Sequence, residues 1–221
     1  GYSSAASDVY KRQYDTYCNL IMKEADNGMN QVLVNRPVLE EYIRRQYPGF
    51  KLISSTTKRI TGLDGLLEEL NKDYFLVVLD YDLNHNEEVL SAIGKQADKV
   101  EILVNEICYP GCPKRSEHYR QQSQMQLEYD IDAAFPCPNK TRERKFEECK
   151  ERPSFISREQ IREYADRGFV NFKIVGRGMP MDFVKESYLY YLVKDDSRAF
   201  IRNKMESTLN QFAQAMRKRK A

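Results

Sequence analysis

The chain reads as an α/β protein built on a parallel sheet: an incomplete (β/α) barrel with a cysteine-rich insertion. Three observations lead there. Short apolar, β-branched runs start about every 20–25 residues, with one helical pattern between each pair. Those runs lack polar alternation, as strands buried on both faces do. Each ends in polar residues, and no Gly-x-Gly-x-x-Gly follows any of them, so the dinucleotide loop of an open doubly wound sheet is missing.

The elements follow in order. Residues 14–27 form a helical pattern through Tyr17, Leu20, Ile21 and Ala25, and Gly28 stands where a helix C-cap would. Cys18 on this helix reads as an ordinary core thiol. Val32, Leu33 and Val34 make a buried strand, and Pro37 opens the next helix, 38–47, at its first turn. Pro48-Gly49 breaks that helix, and 51–57 is a second strand running into Ser-Ser-Thr-Thr. Helix 63–70, strand 75–79, helix 87–97 and strand 100–104 continue the rhythm. After the insertion, 107–156, the spacing Ser157-x-x-Gln160 predicts a capping box on a helix closed by Gly168. A fifth strand, 170–175, and two helices, 183–193 and 197–216, complete the pattern. The last is amphipathic through Phe200, Ile201, Met205, Leu209, Phe212 and Met216. Its basic end, Arg217-Lys218-Arg219-Lys220, reads as a solvated terminus that complements the helix dipole.

Five strands fall short of the eight that close a barrel of about 250 residues, so the first strands are expected to be missing. The start of the chain fits that view. Asp8-Val9-Tyr10-Lys11-Arg12-Gln13 resembles a translated sequencing adapter, so 1–13 is expected to be a non-native leader on a metagenomic fragment. Residues 14–221 then form one partial barrel domain. With 35 basic and 33 acidic side chains interspersed, net charge +2, no strong field argues for nucleic acid or membrane. No apolar run approaches the roughly 20 residues of a spanning helix. A cytoplasmic protein without membrane association is the expectation.

In parallel β/α folds chemistry sits beyond the carboxyl ends of the strands. Those ends carry Asn35-Arg36, Ser54 to Thr57, Asp80-Tyr81-Asp82, Asn105-Glu106, and Lys173 with Arg177. Lys173 interrupts an apolar strand, where an unpaired ammonium is costly, so a carboxylate partner is expected. Glu106, Lys173 and Arg177 are the candidate catalytic groups. Asn35, Asn105, Arg115 and His118 are the candidate substrate contacts, His118 serving alternatively as a ligand or acid–base.

Four of the five cysteines, Cys108, Cys112, Cys137 and Cys149, fall in the insertion. Their number and softness suit a [4Fe–4S] cluster or Zn²⁺, with a disulfide framework a third reading. The iron–sulfur reading is preferred, because zinc more often shows two tight Cys-x-x-Cys pairs. Radical adenosylmethionine chemistry lacks its third cysteine after Cys112. No Ser/His/Asp context, His-Glu-x-x-His or phosphate loop occurs.

The run Asn105-Glu106-x-Cys108-x-x-x-Cys112-Pro113-x-Arg115, with the later Phe172-Lys173-Ile174-Val175-Gly176-Arg177, resembles the collagenase-like peptidase family of unassigned catalytic type (peptidase family U-thirty-two). The resemblance spans roughly 31–193 and implies a barrel, a cysteine-bound [4Fe–4S] cluster in several branches, and a peptidase label from collagen-degrading members. Other branches take part in oxygen-independent hydroxylation of RNA bases or of a small aromatic ring. By motif, Cys108 and Cys112 carry over as ligands, followed by Cys137 and Cys149; Lys173, Gly176 and Arg177 match the later signature. Val175 stands where the family has glutamate, and the cysteine spacing differs from the main signature, which points to a divergent branch. The substrate is then RNA, a small aromatic or a peptide, with a partner subunit or a zinc-stapled non-enzymatic barrel as further readings.

Overall fold

The computed structural model describes residues 16–128, 135–137 and 144–220, the side chains of 126–128 and 218–220 excepted. The proposed leader, 1–13, lies outside them. Helix α1 (Thr16–Ala25) precedes β1 (Gln31–Val34), α2 (Pro37–Gln46), β2 (Lys51–Ser54), α3 (Leu63–Leu70), β3 (Leu76–Val78), α4 (Glu87–Ile93) and β4 (Val100–Leu103). The insertion contributes α5 (Arg115–Glu128) and α6 (Phe146–Lys150). Helix α7 (Arg158–Asp166), β5 (Asn171–Lys173), α8 (Met181–Leu192) and α9 (Arg198–Lys220) follow.

The five strands form one parallel sheet in chain order, β1-β2-β3-β4-β5. Val34 pairs with Ser54, Ile53 with Leu76, Val77 with Val100 and Leu103 with Lys173. The order never reverses, so the sheet lacks the switch point of a doubly wound fold. Among the described residues β1 and β5 do not pair with each other, and the sheet is open.

Alternation along the strands divides the core. Val34, Leu52, Val77, Val100 and Ile102 pack with Ile43, Leu66, Leu70, Leu90 and Tyr164 from the helices. The opposite face carries Ile53, Leu76, Val78 and Leu103 with Leu33 and Val175, closed by Tyr81 and Cys108. The large core therefore lies on one face of the sheet, and the smaller cluster on the other.

Local signals are realised where local chemistry dictates them. Ser157 and Gln160 form both halves of the capping box on α7, and Pro37 occupies the first turn of α2. Gly168, at φ +95°, takes a conformation few side chains adopt. Two helical faces differ from expectation. On α1, Tyr17, Leu20 and Ile21 are exposed, while Met22 and Ala25 reach the core and Cys18 is half-buried. On α9, Phe200, Phe212 and Met216 are exposed. Ile201, Met205 and Leu209 instead line a groove of about 430 Å³ against Val184 and Tyr188 of α8. The predicted strands after the first shorten by one to three residues at their ends, the strand expected over 51–57 stopping at Ser54.

Candidate functional site

The strand termini converge, as a parallel sheet requires, and each end is locally organised. Beyond β1, the Asn35 amide donates to Thr57 Oγ1. Thr57 in turn shares a 2.8 Å contact with Ser55 Oγ. After β2 the chain makes a short 3₁₀ turn, Thr56–Lys58, and leaves it through Arg59 at φ +58°. A non-glycine residue seldom adopts this left-handed region. Its geometry delivers the guanidinium to β3's end, where Nη1 meets both Asp80 oxygens at 2.7 and 2.6 Å and Nη2 meets Asp82 Oδ2 at 2.6 Å. Burial raises the Asp80 pKa, partly offset by a backbone hydrogen bond and by Arg59.

Asn105, fully buried beyond β4, serves the frame. Its amide donates to Val175 O (2.9 Å) and Ser187 Oγ (3.1 Å), and its Oδ1 accepts from Val175 N (2.6 Å). Both amide hydrogens are thereby used, and β4 is linked to the end of β5 and to α8. Lys173 has the carboxylate partner anticipated for it: Nζ lies 2.8 Å from Glu101 Oε2. Glu101 pairs with Asn171, two residues before Lys173, so the ammonium reaches back along the sheet rather than out over the cysteines. Arg177 is exposed in the loop after β5. The structure therefore brings Glu106, Arg115 and His118 toward the cysteines, and leaves Asn35, Lys173 and Arg177 in other surroundings.

Glu106 is half-buried. Its Oε1 accepts from Cys108 N at 3.0 Å. Burial pushes its carboxyl pKa up against those backbone hydrogen bonds. Gly111 (φ +67°) turns the loop between Cys108 and Cys112, where a Cβ would be strained. Burial pushes the Cys108 thiol up to about 12, with further contributions from Glu106, Cys112 and Cys137. Those three thiols thus share one electrostatic neighbourhood. Cys149 is fully buried with Phe146 and Phe183, its sulfur 3.7 Å from Glu106 O. Burial and Glu106 push its thiol up to about 12 as well. Cys108, Cys112 and Cys149 form no disulfide, so the four-cysteine disulfide framework is not formed. Among the described residues no three His, Cys, Asp or Glu side chains converge on a single metal-ion position.

The two ends of the insertion are clamped to the sheet and to each other. Ile156 N donates to Val104 O (3.0 Å), and Tyr191 Oη donates to both Val104 O and Ile156 O (3.0 and 2.9 Å). Arg152 donates to Ile107 O at 2.9 Å and covers the Tyr109 ring at 4.0 Å. On α5, His118 stacks on Phe135 with centroids 4.5 Å apart and planes 7° apart. Burial lowers its pKa, helped by the charges of Arg115 and Arg144. Arg115 lies over the Tyr81 ring at 4.2 Å.

Arg59 and Tyr119 are functional candidates that the sequence did not single out. The signal for Arg59 was a basic pair, Lys58-Arg59, facing the acidic pair Asp80 and Asp82 at the next strand end. Tyr119 lies one helical turn from Arg115 on α5.

No protein-family model matches the chain, and no solved structure matches it. A relative is an uncharacterized protease of Methanocaldococcus jannaschii, 27% identical over 184 residues, covering 80% of this chain and 54% of the relative. The chain thus spans about half the length of the curated relative it matches.

Proposed function

We propose that the chain is part of a β/α barrel whose rim carries an iron–sulfur cluster held by Cys108, Cys112 and Cys137, and that it takes part in oxygen-independent modification of an RNA base or a small aromatic. The supporting observation is the shared half-buried neighbourhood of those three thiols with Glu106 at the end of β4. Thiolates packed together repel one another, and a cationic iron core relieves that repulsion. A cluster is held by sulfurs spread around it, so the thiols need not meet at one atom. As arranged, Cys149 does not fit as a fourth ligand, because it is enclosed with Phe146 and Phe183. When bound, such a cluster would supply one-electron chemistry. The unreversed strand order and one-sided helix packing support the barrel.

Peptide hydrolysis, the activity in the relative's name, is the second reading. A cysteine peptidase needs a thiolate activated by imidazole. Cys108 is held protonated at neutral pH, and His118 is stacked on Phe135 with its pKa lowered.

Anaerobic preparation with iron, sulfide and zinc analysis tests this. Expected are absorption at about 400 nm from thiolate-bound iron and its loss in Cys108→Ser, Cys112→Ser and Cys137→Ser, with Cys149→Ser retaining it. Stoichiometric zinc without colour would make the cysteines a structural staple. Colourless, metal-free protein that cleaves gelatin would establish the peptidase instead.

A further inference from the structure

Arg115 opens α5 with 2% of its surface exposed. Its Nη2 donates to Tyr109 O at 2.6 Å, and its plane rests over Tyr81 at 4.2 Å and Tyr119 at 5.9 Å. Among the described residues Nε and Nη1 have no hydrogen-bond partner. They hold three of the five guanidinium N–H donors.

The surrounding acids do not accept from those donors. Both oxygens of Asp80 and Oδ2 of Asp82 belong to Arg59, and Glu106 Oε1 is held by Cys108 N. The carbonyl of Tyr109 is neutral. A guanidinium remains charged at any working pH. Asp80 lies close enough to act on that charge, but among the described residues no acceptor reaches Nε or Nη1, and buried donors left without acceptors are destabilising. Two buried hydroxyls, Tyr81 Oη and Ser123 Oγ, are also without partners. Ser123 is on the Arg115 side of α5, two turns further along.

We propose that Arg115 anchors an anion-binding site at this rim, which takes the carboxylate or phosphate group of a small-molecule substrate. Arg59, locked between Asp80 and Asp82, sets the Tyr81 loop beneath it, and the open Nε and Nη1 donors receive the anion. The proposal deepens the reading of this rim as a reaction site, and rests on it only for the claim that the bound anion is substrate.

The test is titration of the full chain with inorganic phosphate and, separately, with benzoate, followed by calorimetry and by thermal unfolding. One of the two is expected to bind with a Kd on the order of 1 mM and to raise the unfolding midpoint. Phosphate alone would identify a phosphoryl source, benzoate alone a carboxylate. Arg115→Gln should weaken binding about 10- to 100-fold, while its own midpoint without anion stays equal to or above that of the parent. Should Arg115→Gln fail to fold, Arg115→Lys, with fewer and differently placed donors, should still weaken binding several-fold. No binding of either probe, or undiminished binding by the folded variant, overturns the proposal. So does loss of anion binding once iron and sulfide are loaded, since the cluster would then be the counter-ion. Iron and sulfide assayed on the same samples separate the two readings. Anion binding without a cluster sinks only the cluster, and a cluster without anion binding in either loading state sinks only the anion site.

Discussion

Glu69 on α3 is almost enclosed, yet it keeps its charge. It accepts from Ser54 Oγ at 2.6 Å, Lys58 Nζ at 2.6 Å and Lys72 Nζ at 2.9 Å. Burial pushes its pKa up, and those hydrogen bonds outweigh burial, leaving it at about 2. The folded value lies below the unfolded carboxyl value of about 4.3. Stability from this group is therefore full above about pH 4.3 and lost as pH falls towards 2. Glu69→Gln should cost about 2 kcal/mol at neutral pH. It should also flatten the acid limb between about pH 4.5 and 2, as urea unfolding across a pH series would show. Only the i,i+3 partner Lys72 was legible in the sequence; Ser54 and Lys58 arrive from β2's end and from the turn after it. The cysteines teach the same at this scale. Cys108 and Cys149 look alike in sequence, and only packing puts one beside other thiols and the other among aromatic rings.

At the scale of elements, the end of β4 depends on side chains that extend the ladder after the strand stops. Asn105 does this towards β5 and α8. Asn84 does it from the β3 side, donating to Leu103 O (2.8 Å) and Ser154 O (2.7 Å). Removing such a group strands buried backbone donors and acceptors. Asn105→Ala should lower unfolding free energy by about 2–4 kcal/mol, measured by chemical denaturation. An unchanged midpoint would mean that Asn105 is held for substrate rather than for the frame. The helix starts at Pro37 and Ser157 were legible because a cap involves residues within one turn. The apolar stripes of α1 and α9 were legible as helices, but not as buried faces. Periodicity says which residues share a side, and neighbouring elements decide whether that side is covered.

For the molecule as a whole, the one-sided core implies an uneven distribution of stability. Strands β2, β3 and β4 are enclosed through Leu52, Val77, Val100 and Ile102. Helix α9 docks through Ile201, Met205 and Leu209 and through the ion pairs of Lys185 with Glu206 (2.8 Å) and Arg202 with Glu186 (2.7 Å). Amide hydrogen exchange should be slowest in the three central strands and fastest in α9 beyond Leu209. Uniform protection along α9 would show that its exposed Phe212 and Met216 are covered in solution. No helix among the described residues is long and apolar enough to cross a membrane.

By itself the sequence determined the β/α alternation, the five parallel strands, the polar strand ends and the grouping of cysteines after β4. These follow from short-range periodicity and from the rule that parallel strands need crossovers, both written in consecutive residues. Only the tertiary structure decided what each polar residue does. It turned Lys173 back to Glu101, used Asn105 to join β4 to β5, enclosed Cys149 with Phe146 and Phe183, and buried Arg115 with donors unanswered. Such assignments depend on which side chains, distant in the chain, reach the same few ångströms, and no local pattern carries that information.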